Sequence, residues 1–160
     1  MIHGKLLTDE NLMCRGCTMV SIYVLCYAAG ETSSHLFLEC DFATHLWHSL
    51  ECRLHCVVDL SSVAAILDCI ALLCSSQVKD VYMAAIIHTV HVIWKDRNSI
   101  RFSSGKVSLH AAMSTIVSLV ALRGNASNGH CLHSLSDKLL LDNFLVSPGY
   151  RCYKEIIEVI

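Results

Sequence analysis

Two thiols and an imidazole stand close together at Cys26, His35 and Cys40, in the spacing Cys-x8-His-x4-Cys. Thiolate sulfur and neutral imidazole nitrogen are the donors a tetrahedral zinc prefers. A loop carrying Cys26 would meet the start of a short helix carrying His35, with Cys40 just past its end. That supplies three donors where a closed structural site takes four. Three ligands plus water is the catalytic arrangement, but nothing in this stretch places a general base beside them. The competing reading is a buried cysteine pair beside a capped histidine, since unpaired cysteine is among the most buried residue types.

Other clusters offer less. Cys14–Arg15–Gly16–Cys17 is a Cys-x2-Cys pair, and Cys17, in the loop, is the candidate fourth ligand. Its plainer reading is two cysteines flanking a helix end. His48, Cys52 and Cys56 recur every four residues. Eight helical residues rise about 12 Å, so these three cannot share one metal and read as a helix face. His88 and His91 lie in an apolar helix and read as core or boundary residues. Lys95, Arg97 and Arg101 suit a helix C-terminus; as phosphate contacts they would need more basic neighbours. There is no Gly-rich phosphate loop and no Gly-x-Ser-x-Gly elbow.

The elements that must carry these groups are helical. Thr8 caps a helix ended by Gly16, and a loop or short ribbon spans Ser21 to Gly30. A short helix runs from Thr32 or Ser33 to Glu39. Asp41 is expected to cap the next, whose apolar face repeats at Phe42, Leu46 and Leu50. Ser61 or Ser62 opens an apolar helix to about Cys74, and Gln77 to Ile100 is the longest helical pattern, broken at Gly105. Ser108 to Arg123 is another helix, expected to stop at Gly124–Asn125. Ser136–Asp137 caps a short helix to Phe144, and Ser147–Pro148–Gly149 is a turn. No period-two alternation persists. The expectation is a mostly α chain: a small zinc-knuckle-like helical module at 1–56, a bundle-like helical region at 57–123, and a linker or tail at 124–160.

Composition narrows the function. Of 160 residues, 54% are hydrophobic and 16% charged, so the chain buries more than an average domain or exposes an apolar surface for a protein partner. Twelve basic against fourteen acidic residues leave no broad phosphate-binding footprint, and nucleic-acid contact would rest on local patches. No secretory leader is visible, and the apolar runs Val63–Cys74 and Val81–Trp94 are too short to span a bilayer. The chain therefore reads as intracellular, nuclear or cytoplasmic, not secreted and not membrane-bound. In that setting ten cysteines favour thiols or metal ligands over disulfides.

A family resemblance rests on specific residues. Gly4–Leu12, Arg15–Gly16, Leu25–Cys26, Glu31–Thr32, His35–Leu36–Phe37, Cys40, Phe42–Ala43 and Trp47 together resemble the zinc-binding domain of plant LINE-type (non-LTR) retrotransposon reverse transcriptases. Ile93–Phe102, with its Trp-x2-Arg-Asn core, is similar to the segment preceding RNase H in that family, as are Gly124–Gly129 and Ile156–Ile160. The resemblance implies zinc-stabilised packing and nucleic-acid contact beside a polymerase. It also implies metal ligation by Cys26, His35 and Cys40. One departure matters: where the family has the first cysteine of a Cys-x2-Cys pair, this chain has Tyr23. The zinc site is therefore degenerate, and zinc should bind more weakly.

The chain holds no Asp-Asp pair for two-metal polymerase chemistry, and it ends where RNase H carboxylates would begin. The expected function is a non-catalytic, retrotransposon-derived zinc-binding module. The alternatives are an inactive piece that is a reverse transcriptase or ribonuclease H by ancestry alone, and a helical protein-interaction module.

Overall fold

The computed structural model describes residues 6–62, 65–66, 75–132 and 134–149. The chain is mostly α, with no strand among the described residues. Its helical elements are α1 (Asp9–Cys14), α2 (His35–Glu39), α3 (Asp41–Leu54), α4 (Ser76–Ser103), α5 (Leu109–Asn125) and α6 (Leu135–Asn143). Most of the expected helix between Ser61 and Cys74, and the tail from 150, lie outside the described residues; its opening is seen where Ser62 Oγ accepts from the Ala65 amide.

Hydroxyl caps set most of the starts. Thr8, Ser75, Ser108 and Ser134 each sit in extended backbone and accept from the amide three residues on. The cap of α6 is thus Ser134 rather than Ser136–Asp137, because Ser134 Oγ takes the Asp137 amide at 3.1 Å. The cap of α3 is Cys40 rather than Asp41. Its amide donates to His35 O at 2.9 Å, which closes α2 as a π-helical turn. Asp41 then falls in the first turn, where its charge suits the exposed amides.

The two longest helices, α4 and α5, are joined by the short connection 104–108 and pack along one another. Ser104 takes the left-handed conformation there, φ 51°, and ends α4. Gly105 follows, and a Cβ would lie 2.0 Å from Ser99 Oγ. The buried face of α5 repeats every fourth residue at Ala112, Ile116, Val120 and Gly124. The helix ends at Asn125, as expected for Gly124–Asn125, and the glycine also serves packing: a Cβ would lie 2.6 Å from Val146 Cγ2 and 2.9 Å from Val81 Cγ2. Helix propensity loses to close approach.

One buried cluster runs through the chain from Tyr23 to Val146, so all three segments marked out in the sequence contribute to it. Trp47 is fully buried in α3 and donates Nε1–H to Phe37 O at 2.7 Å, tying α3 to the π turn. Arg53 and Asn143 exchange bonds, Arg53 to Asn143 O at 2.8 Å and Asn143 to Arg53 O at 2.9 Å, and lock α6 to the end of α3. No described helix is long and apolar enough to cross a membrane.

Replacing Gly124 by alanine should destabilise the chain despite the better helix former. Overpacking against Val146 and Val81 costs about 1–3 kcal/mol, against a propensity gain of about 1 kcal/mol. Thermal unfolding followed by circular dichroism checks this; a raised midpoint would contradict the close packing of α5.

Candidate metal centre

The loop before α2 is built to present Cys26. Tyr27 N–H donates to Tyr23 O at 2.8 Å, and Tyr23 N–H donates to Ala29 O at 2.8 Å. Tyr27 takes φ 55°, and this left-handed residue turns the chain so that the Ala28 amide points back at Cys26 Sγ, 3.4 Å away.

Histidine 35 enters from the first turn of α2. Thr32 Oγ1 accepts its amide at 3.0 Å, and Thr32 O accepts the Leu36 amide at 2.9 Å, so one threonine organises the start of this turn. The ring is aimed inward: Nε2 lies 3.2 Å from Cys26 Sγ. The other nitrogen, Nδ1, lies 3.9 Å from Glu39 Oε2. A carboxylate on the far side is the usual way a metal-binding imidazole is oriented.

Cysteine 40 closes the set. It is fully buried at the junction of α2 and α3. Burial pushes its thiol pKa up; the amides of Phe42 and Ala43 at the start of α3 pull it down, and the neighbouring Cys26 raises it. The donor atoms of Cys26, His35 and Cys40 all lie within 4.8 Å of one another. Zinc bonds of about 2.3 Å to sulfur and 2.0 Å to nitrogen put tetrahedral donors about 3.5 Å apart, so the cluster needs only a small contraction to hold one ion. The π turn makes this possible by carrying Cys40 round to the side that His35 faces.

The fourth corner differs from the expectation. Cys17 is exposed, beside the Gly16 turn, and is not in the cluster. Tyr23 is there in its place, with no surface exposed and its ring edge-on to His35 at 5.4 Å between centroids and 88° between planes. Its hydroxyl has no hydrogen-bond partner. Burial pushes the phenol's pKa well up, and the charges of Cys40, Glu31 and Cys26 add to this while Arg97 opposes it. The ring thus lies between the donor cluster and a second buried group that sequence reasoning missed.

That group is Glu31 with Arg97. Both side chains are essentially buried. Arg97 donates Nε to Glu31 Oε2 at 2.8 Å and its second fork nitrogen to Oε1, and reaches Leu7 O at 3.2 Å. The Asp9 amide donates to Glu31 Oε1 at 3.2 Å, and Arg101 pairs with Asp9 at 2.5 Å. Arg101 stands in the last turn of α4, as a helix-end charge would, while Arg97 is buried one turn or more before it; both guanidinium groups pair with carboxylates, and Lys95 alone of the three is exposed. The available signal was that Glu31 is the sole acidic residue between Glu10 and Glu39.

The other sequence candidates stay apart. His48 pairs with Glu51 at 2.9 Å, Cys52 is exposed, and Cys56 meets the Tyr82 hydroxyl at 2.8 Å. His88 is half-buried, which lowers its pKa, with His91 adding to the effect. Among the described residues, Cys26, His35 and Cys40 form the group of metal-ligating side chains close enough to share an ion.

Residues 1–47 match the family model described as zinc-binding in reverse transcriptase. That segment contains all three clustered donors and ends at Trp47. No curated protein and no solved structure matches the chain.

Alkylation of the metal-free, reduced protein should discriminate among the thiols. Exposed Cys14, Cys17 and Cys52 react before Cys40, because Cys40 is buried and burial pushes its thiol pKa up. Peptide mapping after timed iodoacetamide quenching reads the order; early labelling of Cys40 would contradict the geometry.

Proposed function

We propose that the chain is a non-catalytic, zinc-stabilised module descended from the reverse transcriptase of a LINE-type retrotransposon. The observation that carries this reading is the convergence of Cys26, His35 and Cys40 within the segment that matches the reverse-transcriptase zinc-binding model. The three donors come from a loop, a π turn and a helix cap. An ion joining them would cross-link three pieces of chain, and its binding free energy would become folding free energy. With Tyr23 rather than a thiol at the fourth corner, the ion supplements a core that already exists.

When bound, zinc would supply coordination that fixes the loop. The protein's own residues do the remaining work. Thr32 caps the turn that carries His35, the amides at the start of α3 offset part of the burial that raises the Cys40 thiol, and the Tyr23 ring packs edge-on against His35.

Nucleic-acid contact in this reading is weak and electrostatic, because Arg97 and Arg101 are spent internally and Arg53 is bound to Asn143. An apolar edge beside the site favours a second reading, contact with a protein: Val20 is 89% exposed, and Ile22 and Tyr27 are also exposed.

Zinc content of the purified, reduced protein tests the main reading. One equivalent is expected, lost in Cys26→Ser and in Cys40→Ser and kept in Cys17→Ser. Absence of zinc from the parent chain would overturn it. For nucleic acid, Lys95→Gln should lower the salt slope of single-strand binding by about 0.7 and Arg101→Gln should leave it unchanged. Hydrolysis of an RNA–DNA hybrid above that of a Cys40→Ala control would refute the non-catalytic assignment.

A further inference from the structure

The metal-ligand cluster and the long helix α4 are far apart in sequence, yet they meet at one buried pair of charges. Glu31 lies between the loop that carries Cys26 and the turn that carries His35. Its backbone is held on both sides: the amide donates to Ser21 Oγ at 2.8 Å, and the carbonyl accepts from the Glu10 amide at 3.2 Å. The next residue, Thr32, organises the turn that aims His35. Beyond it, the Ser33 amide donates to Glu10 Oε2 at 3.0 Å. Glu31 therefore anchors the middle of the segment between two of the three donors, to Ser21 and to α1.

What fixes Glu31 is Arg97, 66 residues away on α4. The guanidinium spans both carboxylate oxygens and ties Leu7 O to the same point. Its Cζ lies over the rings of Trp94 and Phe102, 5.0 Å and 5.7 Å from their centroids. Arg101 and Asp9 complete a quartet of two positive and two negative charges. A planar fork held between rings and a carboxylate leaves little freedom on either side. Tyr23, fully buried and packed edge-on to His35, lies within electrostatic reach of both Cys26 and Cys40 and of Glu31 and Arg97.

We infer that Arg97 is a positioning residue for the metal centre, and that metal binding at Cys26, His35 and Cys40 and docking of α4 through Glu31 are one coupled equilibrium. This rests on the reading of those three residues as zinc ligands. Coupling of this kind is reciprocal. Loosening the Arg97–Glu31 pair weakens zinc, and removing zinc loosens α4 around Arg97.

The test uses the full-length reduced chain. Zinc affinity is measured by competition with a chromophoric chelator, and the visible absorption of Co(II) in the same site reports donor geometry. Arg97→Lys keeps the charge and removes the fork. It should weaken zinc by about 10-fold or more, the usual effect of disturbing the groups that orient metal ligands. Its Co(II) band should also be altered, with far-UV helix content retained. In the parent, zinc should slow amide exchange across residues 94–101; in Arg97→Lys it should not. A folded Arg97→Lys protein with parental zinc affinity and Co(II) spectrum would overturn the inference. If that variant does not fold, Arg97→Met with Glu31→Gln removes both charges together, and parental affinity and spectrum there would overturn it equally. A parent chain that takes up no metal defeats the zinc reading and this inference at once. Tight zinc in the parent, unmoved by either variant, defeats this inference alone.

Discussion

The fold turns on the burial of Glu31 against Arg97. Taking both charges out of water costs several kcal/mol each, and only close geometry with every polar atom engaged offsets that cost. Those conditions are met: the carboxylate receives the guanidinium fork and the Asp9 amide, while the fork also reaches Leu7 O and Asn98 Oδ1 at 2.7 Å. An apolar pair of the same volume could be as stable. It would not dictate which turn of α4 faces the loop, whereas a planar fork and a carboxylate do. The pair therefore specifies register, and α1, the cysteine loop and α4 inherit their relative positions from it.

Much of the architecture was legible because it is written locally. Thr8 and Ser108 announce helix starts, and the apolar spacing of α3 gives Leu46 and Leu50 on its buried face. The failures share a cause. Gly124 reads only as a helix end, and its packing role shows once Val146 and Val81 are placed against it. Asp41 looks like a cap until the π turn shifts that duty to Cys40. Arg97 looks like a helix-end charge because nothing within ten residues of it reveals a carboxylate 66 positions away. In the candidate site, the three donors stand out by type and spacing, and the fold brings them together. Cys17 was a plausible fourth by spacing alone; the Gly16 turn leaves it at the surface.

Tyr23 helps hold the N-terminal segment together without a metal. A phenol ring fills its space whether or not an ion is present, and its edge-on contact with His35 belongs to the apolar core. The cost is a buried hydroxyl without a partner, worth about 1–3 kcal/mol. High apolar content spreads such a cost over a large core, and the same content leaves Val20, Val57 and Phe102 facing water.

The separation between Glu31 and Arg97 also has a consequence for how the chain is made. Ribosomes add about 5–20 residues per second, so roughly 3 to 13 seconds pass between synthesis of the glutamate and of its arginine. Throughout that interval the N-terminal segment carries a carboxylate whose buried partner has not been translated. It cannot close around Glu31 until α4 has cleared the exit tunnel. The segment that resembles a self-sufficient zinc module is thus timed, in the nascent chain, by a helix synthesised well after it.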